Sequence, residues 1–389
     1  MAMTHLPKAF LGLVCLLLLL PCSAGADHFL AQRLNGGEPI ISAEHFEKHG
    51  APNSDANNIN GPSVIRVPDW IPKEQRASPE ARYYLYFAHH NGKYIRLAWA
   101  QEIEGPWHLY RTGKNVPPGQ RGVLDMGDDR LITLGGEYAI KRHIASPDVH
   151  VDDHNKQVVL YFHGGTSRNG TTLREQKTYV ATSPWGLDFS AGIRPVPLSN
   201  SYLRVFEYKG ALQGLYRTHH ARPRESADPW VNPQDAELVG DELWEIRDAR
   251  FLQLDDSQHI GGKMRKRTPQ IRHAALHRDG DRLHVFFTMR GHAPEHILVT
   301  SVELRDDDWF DVAPAVSAAE VLRAEREWEG AGIAPKRSKQ GSEYRLVNAL
   351  RDPFVFNDRG RLYLFYVGGG ERAIGVARLT HQPDRQREG

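Results

Sequence analysis

Two aspartates stand beside proline at the start of strand-like apolar runs, Asp148 after Pro147 and Asp352 before Pro353. Carboxylates placed in this way can serve as the acid, the base or an orienting group of a hydrolytic site. Asp beside Pro also organises turns, so a structural role is the alternative. Glu207, in the run VFEYKG, is a further carboxylate candidate, although its side chain could equally face solvent.

Histidine and arginine recur at the ends and starts of the same runs. His89 and His90 directly follow the aromatic run YYLYFA, and His273 follows Arg272 at a strand start. Histidine exchanges a proton near neutral pH, and arginine binds carboxylate or sulfate groups through two parallel hydrogen bonds. We therefore predict catalysis by Asp148, Asp352, His89, His273 and Glu207, and substrate binding by Asn60, His90, His163, Arg204, Arg272 and Arg351.

These candidates belong to a unit that recurs along the chain: an apolar strand, a turn, an aromatic-rich strand and a third strand of the type I-x-x-A. Period-2 alternation within the unit is typical of half-buried β-structure. The copies begin near residues 62, 147, 203, 272 and 353, with the first strands GPSVIRV, SPDVHVD, YLRVFEY, IRHAALH and LRDPFVF.

The number and size of these units predict an all-β fold, a five-bladed β-propeller, with a β-sandwich or two stacked β domains as the alternatives. In a propeller, the start of a blade's first strand and the end of its second lie at one mouth, so the arginines and histidines should meet there. Residues 27–58 should close or decorate the ring. The segment 318–328, AAEVLRAEREW, is predicted to be an amphipathic helix.

The runs GPSVIRV, SPDVHVD and RDPFVF resemble the first blade strands of five-bladed glycoside hydrolases of family 43 and of the related families 32, 68 and 117. The resemblance implies two or three carboxylates at a central funnel, and some such propellers hold Ca²⁺ there. Two positions depart from the family pattern. In the first blade, Gly61, with Asn60 before it, stands where the family has the aspartate that acts as the catalytic base. In the fourth blade, Arg272 and His273 stand where the family has the glutamate that acts as the catalytic acid.

Three functions remain open from these observations. The first is a glycoside hydrolase acting on a polysaccharide or oligosaccharide with uronate or sulfated units. The second is a polysaccharide lyase, in which Arg272 or Arg351 neutralises a uronate while His or Tyr removes a proton. The third is a sugar-binding propeller without activity. No spacing defines a metal ligand set, so we predict no metal or other cofactor and leave Ca²⁺ at the funnel as an alternative.

The net charge and the two ends of the sequence limit the class of protein and its expected location. The chain has 389 residues, with 49 Lys and Arg against 48 Asp and Glu, which gives no general attraction to nucleic acid. Residues 1–26 have the pattern of a signal peptide, and cleavage after Ala26 would remove both cysteines, Cys15 and Cys22. We therefore expect a secreted or periplasmic monomer without a membrane span, with the propeller over 27–380 and a polar tail over 381–389.

Overall fold

The computed structural model describes residues 27–174, 176–216, 219–223, 244–250, 253–254, 270–304, 315–316 and 318–382. The signal-like segment, the run KMRKR and most of the polar tail lie outside these ranges. No helix among the described residues is long and apolar enough to cross a membrane.

Strands make up nearly all of the regular structure. The N-terminal part contains β1 (His28–Arg33) and two short helices, α1 (Ala43–Lys48) and α2 (Asn53–Ala56). Blade one contains β2 (Asn60–Arg66), β3 (Tyr83–Ala88), β4 (Tyr94–Ala100) and β5 (His108–Tyr110), with the short β6 (Leu124–Asp125) paired to β4, whereas β7 (Leu131–Thr133) belongs to the sheet of blade two. Blade two contains β8 (Tyr138–Asp152), β9 (Gln157–Arg168), β10 (Thr171–Thr172), β11 (Lys177–Ser183) and β12 (Ser199–Asn200).

The later blades follow the same plan. Blade three contains β13 (Leu203–Tyr208), β14 (Ala211–Tyr216), β15 (His219–Pro223) and β16 (Trp244–Arg250). Blade four contains β18 (Gln270–Asp279), β19 (Arg282–Arg290), β20 (Ile297–Glu303) and β22 (Ala319–Leu322), with β17 (Gln253–Leu254) and β21 (Ala315–Val316) paired beside it. Blade five contains β23 (Leu350–Asp358), β24 (Arg361–Gly368) and β25 (Ala373–Gln382), and β1 is its fourth strand. The predicted five-bladed propeller is confirmed.

The aromatic second strands form the centre of each blade. In β3, the side chains of Tyr84, Tyr86 and Phe87 are fully buried, since both faces of the strand are covered. Alternate residues of such a strand pack against opposite neighbours: Tyr84 and Tyr86 join the cluster towards blade two, whereas Leu85 and Phe87 join the cluster towards blade five. A two-sided core of this kind requires apolar residues at consecutive positions, which the run YYLYFA provides.

The innermost strands form the ring around the central channel, and side chains fasten neighbouring strands together. Ser63 Oγ accepts a hydrogen bond from the backbone N–H of Val149, and Asp148 Oδ2 accepts one from the N–H of Val205. Arg204 Nε then donates to the carbonyl of Ala274. The strands β18 and β23, and β23 and β2, also pack against each other, so the ring is closed.

Each inner strand carries a residue with positive φ at the same place. These residues are Gly61, Ser146, Tyr202, His273 and Asp352, with φ of 61°, 51°, 67°, 52° and 44°. In four of the blades, the pairing of the first two strands shifts register across this residue. Such bulges re-aim a side chain, and a left-handed conformation at a residue other than glycine costs about 1–2 kcal/mol.

The segment 318–328 is not the predicted helix. It forms β22, the outer strand of blade four, and a single 3-10 turn over Glu327–Glu329. Ala319 and Val321 are buried and Glu320 is exposed, which is the alternation of a strand that pairs with an open sheet edge. This pairing outweighs the helical preference of Ala, Glu and Arg.

Candidate functional site

A cavity of about 420 Å³ opens at the mouth where the inner strands begin. Its volume is in the range of small-molecule sites. The left-handed residues Tyr202 and His273 line it, so this backbone conformation directs side chains to the mouth in blades three and four. The lining consists of His90, Arg174, Gln176, Asn200, Ser201, Tyr202, Tyr216, Ile271, Arg272, His273, Ala274, Arg290, Gln340 and Gly341.

His273 is paired with the carboxylate of Asp352. The Nδ1 atom of His273 lies 2.7 Å from Oδ1 of Asp352, and both side chains are about 5% exposed. Burial lowers the pKa of His273 below its ordinary value, although the negative charge of Asp352 acts in the opposite direction. Burial alone would raise the pKa of Asp352, but His273 and two arginines outweigh it and lower this pKa. At neutral pH, the pair is therefore a neutral imidazole held by an ionised carboxylate.

His90 has a corresponding carboxylate partner in Glu371. Its Nδ1 atom lies 3.4 Å from Oε1 of Glu371, whose side chain is completely buried. Asn58 Nδ2 donates to Oε2 of Glu371 at 2.6 Å, and Arg351 Nη1 donates to Oε1 at 3.0 Å. Burial works to raise the pKa of Glu371, but His90 and Arg351 prevail and lower it to about 2. A second histidine of the cavity thus stands against a fixed negative charge.

Arg351 joins this group to a second buried carboxylate. Its Nε atom donates to Oε2 of Glu295 at 2.8 Å, while Oε1 of Glu295 accepts from Thr288 Oγ1. Because Glu295 and Glu371 are both fully buried, Arg351 links two buried carboxyl groups and fixes the wall of the mouth. The sequence predicts Arg351 to be a substrate ligand, but its guanidinium group forms ion pairs with Glu295 and Glu371 instead. Asn60 is likewise buried, with its Nδ2 atom 3.4 Å from Oε2 of Glu371.

A row of aromatic and imidazole rings continues from His273 across the mouth. The ring of Tyr202 lies 5.5 Å from that of His273 and 4.6 Å from that of His163, and His143 lies 5.8 Å from His163. Burial raises the pKa of Tyr202 to about 12 and lowers that of His143 to about 4. Burial also lowers the pKa of His163. The row is therefore uncharged at neutral pH.

Arginines supply the positive charge at the rim. Arg272 donates to the carbonyls of Lys339 and Gly341, and Arg290 donates to the side chain of Gln340. These bonds hold the segment 335–341, PKRSKQG, against blade four, so that Gln340 and Gly341 line the cavity, while Lys336, Arg337 and Lys339 line a separate pocket. Among the described residues that line the cavity, none is Asp or Glu.

Asp148 and Arg204 lie deeper in the channel and belong to the links between blades. Oδ2 of Asp148 is 3.2 Å from His150 Nε2, and these two residues line a second cavity at the opposite end of the channel. Burial works to raise the pKa of Asp148, but His150 and Arg204 lower it. Asp148 therefore does not share a site with Asp352: Asp352 precedes its proline and faces the mouth, whereas Asp148 follows its proline and faces the next blade.

Two further predicted residues lie apart from the cavity lining. Glu207 is exposed near the hairpin that joins β13 to β14, far along the strand from Tyr202. His89 lies beside the mouth, where its Nε2 atom is 3.1 Å from Asn57 Oδ1 and its ring is 5.8 Å from that of Tyr344. Burial, with the charge of Arg96, lowers the pKa of His89 to about 3. The mouth thus brings together His273, Asp352, His90, His163, Arg272, Arg351 and Asn60 of the predicted set.

The described mouth does not fit a calcium ion. Calcium requires six to eight oxygen ligands, mostly carboxylates and carbonyls. The buried carboxylates of Asp352, Glu371 and Glu295 already contact His273, His90 and Arg351. No step of the chemistry below uses a metal.

Sequence reasoning missed Tyr202, Glu371, Glu295 and His143. Tyr202 was within reach, because aligning the five inner strands places it with His273 and Asp352. Glu371 follows the glycine run that ends the second strand of blade five, and Glu295 lies in the loop before β20. Neither glutamate has a pattern that marks it.

The five sheets define a five-bladed propeller. The fold that the sequence repeats predicted is therefore confirmed. The chain is similar to the GH43_1 enzyme from Xanthomonas citri in complex with xylose, with 14% identity, 87% of this chain and 93% of that chain covered, and a TM-score of 0.49. It is also similar to an α-L-arabinofuranosidase from Lactobacillus brevis, with 12% identity, 87% and 94% covered, and a TM-score of 0.46.

Closer similarity is found to a protein of Acanthamoeba polyphaga mimivirus. The uncharacterized protein R118 is 31% identical over 334 residues, which cover 83% of each chain. The chain belongs to the same family as R118. No family model matches the sequence.

Proposed function

We propose that the protein is a carbohydrate-active enzyme that hydrolyses glycosidic bonds in a polysaccharide or oligosaccharide with acidic units. The main support for this proposal is that two histidines of one cavity, His90 and His273, each contact a buried ionised carboxylate. Histidines paired in this way can exchange protons with a substrate, so the cavity needs no carboxylate of its own.

The environments of the two histidines favour different roles. His273 is deeply buried and neutral, and Asp352 holds its Nδ1 proton, which leaves Nε2 to accept a proton from water. The oxygen of that water attacks the anomeric carbon as the glycosidic C–O bond breaks. His90 is more exposed and lies 3.4 Å from the carboxylate of Glu371. It can donate a proton to the departing oxygen, so protons balance over the reaction.

The charge of the rim supports an acidic substrate. Arg174, Arg272 and Arg290 line the cavity, and the segment 335–341 reaches it through Gln340 and Gly341. The complete sequence has a formal charge of only +1, so this positive charge is local. Uronate or sulfate groups suit such a rim, because guanidinium groups bind planar anions through paired hydrogen bonds.

Elimination is the second candidate, and the absence of Asp and Glu from the described lining favours it. Arg272 would neutralise a uronate carboxylate, and neutral His273 would remove the adjacent proton. The product would then carry a new double bond in place of an added water.

The test is a screen of acidic and neutral polysaccharides with products analysed by mass and ultraviolet absorbance. We expect a mass gain of one water per cleavage and a loss of at least about 100-fold in kcat for His273→Gln, in line with the usual contribution of a proton-transfer group. A matched control is His277→Gln, on the same strand but outside the cavity. An ultraviolet-absorbing product without water gain would assign elimination. Binding without turnover, equal in the wild type and His273→Gln, would instead indicate a sugar-binding propeller.

We also propose export of the protein, supported by the charged start, the apolar run Ala9–Leu20 and the small residues before Asp27. Amino-terminal sequencing of the protein recovered outside the producing cytoplasm should begin near Asp27. An intact Met1 on the recovered protein would contradict this processing.

A further inference from the structure

Three side chains with metal-ligating atoms meet at the seam where β1 completes blade five, away from the mouth. Asp27 precedes β1, His284 lies on β19 of blade four, and His381 lies near the end of β25. Their ligand atoms all lie within 4.8 Å of one another. Oδ1 of Asp27 is 3.6 Å from Nε2 of His381, and Oδ2 is 3.7 Å from Nδ1 of His284.

The spacing is near that of a tetrahedral metal site. Zinc binds nitrogen and carboxylate oxygen at about 2.0–2.2 Å, which separates neighbouring ligands in a tetrahedron by roughly 3.3–3.5 Å. The two separations at Asp27 are to different carboxylate oxygens and exceed this by a few tenths of an ångström, and all ligand atoms lie within 4.8 Å, so side-chain movements would complete the geometry.

Two of the three side chains of the cluster have polar atoms without a hydrogen-bond partner. The Asp27 side chain is 1% exposed, and neither of its carboxylate oxygens nor Nε2 of His381 makes a hydrogen bond in the described structure. Buried oxygen and nitrogen atoms of this kind usually have a partner, and leaving them without one is costly. The Arg282 Nε atom lies 2.7 Å from Oδ2 of Asp27 and balances its charge, which leaves Oδ1 open towards His381.

The histidines are held ready to bind. Ser301 Oγ lies 2.7 Å from Nδ1 of His284, a contact that zinc bound at this nitrogen would replace, while the ring of Phe29 stacks on His381 at 4.7 Å and contacts the edge of His284 at 5.1 Å. Such outer contacts orient imidazole ligands in metal sites.

We infer that Asp27, His284 and His381 form a zinc site that fastens the N-terminal strand to blades four and five. Two imidazoles and one carboxylate are a donor set that suits Zn²⁺, with water at the fourth position. The three ligands come from three segments of the chain, so bound zinc stabilises the closed ring. This inference is independent of the proposed catalytic function.

The test uses the full chain with its affinity tag removed, dialysed against Zn²⁺ and analysed for bound metal. We expect one zinc per chain, a thermal midpoint that rises with Zn²⁺ but not with Mg²⁺, and Co²⁺ absorption bands of tetrahedral intensity. His381→Ala should weaken zinc binding at least tenfold and abolish the rise in the midpoint. His381→Gln retains more of the packing against Phe29. Weaker zinc binding in this variant as well would show that the loss in His381→Ala does not come from a folding defect.

Two control variants separate this site from other histidines. His277→Ala removes a ring stacked 5.8 Å from His284 but outside the cluster, and His163→Ala removes a histidine of the mouth. Both should retain one zinc per chain. The proposal is overturned if the wild-type chain binds no stoichiometric zinc, or if His381→Ala binds zinc as tightly as the wild type.

Discussion

At the scale of single residues, the mouth is distinguished by histidines whose carboxylate partners are buried behind them. In the resembling hydrolase families, carboxylates themselves are expected at the funnel. Here, Asp352 and Glu371 act on the cavity through His273 and His90. The sequence predicted His273 and Asp352 because they stand at the starts of strand-like runs, and His90 because it follows the end of one. It could not predict Glu371, since its role depends on Arg351, Asn58 and His90 converging from separate blades or strands.

The buried carboxylate of Glu371 should contribute strongly to stability. Replacement of Glu371 by Gln leaves Arg351 with one partner fewer, and we expect a loss of about 3–5 kcal/mol in the free energy of unfolding at pH 7. Denaturant unfolding measures it. The control Glu343→Gln removes a more exposed partner of Arg345 and should cost at most about 1 kcal/mol.

The pH dependence of this difference has a definite sign. The pKa of Glu371 is about 2 in the folded protein, against an ordinary value of 4.5. Its contribution is therefore complete above about pH 4.5 and disappears as the pH falls towards 2. The gap between the wild type and Glu371→Gln should narrow below pH 4.5. A gap that stays constant from pH 7 to pH 3 would contradict the ionised state of Glu371.

At the scale of elements, a residue in the left-handed conformation recurs in all five blades, and in blades three and four it places Tyr202 and His273 at the mouth. Pattern reasoning located all five strand starts, because the alternation and the turn residues are local signals. It did not locate the bulges, which depend on pairing with the second strand. This explains why Asp148 and Asp352 were predicted to be equivalent, although they stand on opposite sides of their prolines and face different ends of the channel.

The bulge in blade one can be tested at Gly61. A Cβ atom there would lie 3.3 Å from the backbone Cα of Ser146, in addition to the strain of the left-handed φ of 61°. We expect Gly61→Ala to destabilise the fold by about 2–3 kcal/mol, measured by denaturant unfolding. Gly210→Ala has φ of 76° with no atom within 4 Å and should cost about 1–2 kcal/mol. Equal losses in the two variants would contradict close packing at the blade-one bulge.

At the scale of the whole molecule, the ring is closed by a strand from the other end of the chain. All six residues of β1 pair with β25, so the first described strand completes the last blade. The sequence indicated that residues 27–58 close or decorate the ring, but β1 has no alternation strong enough to assign it to a blade. Its place follows from the open edge of blade five, a tertiary requirement.

The buried histidines predict an acid-sensitive fold. The pKa values of His89, His143 and His284 are about 3, 4 and 4, against an ordinary value of 6.5. Between pH 6.5 and about 4, the unfolded chain binds more protons, so stability falls as the pH falls. By pH 5, each histidine should cost roughly 1–2 kcal/mol in the free energy of unfolding. Denaturant unfolding at pH 7, 6 and 5 measures this trend, and equal stability at all three would contradict it.

The central claim is that His273, held by Asp352, transfers protons at the mouth. The most direct measurement is kcat/KM against pH for the wild type and Asp352→Asn, on the glycan that the screen identifies. The carboxylate of Asp352 raises the pKa of His273 against the effect of burial. Its neutralisation should therefore lower the rate about 100-fold or more and move the acidic limb of the profile to lower pH. An unchanged rate and an unmoved limb in Asp352→Asn would contradict the account.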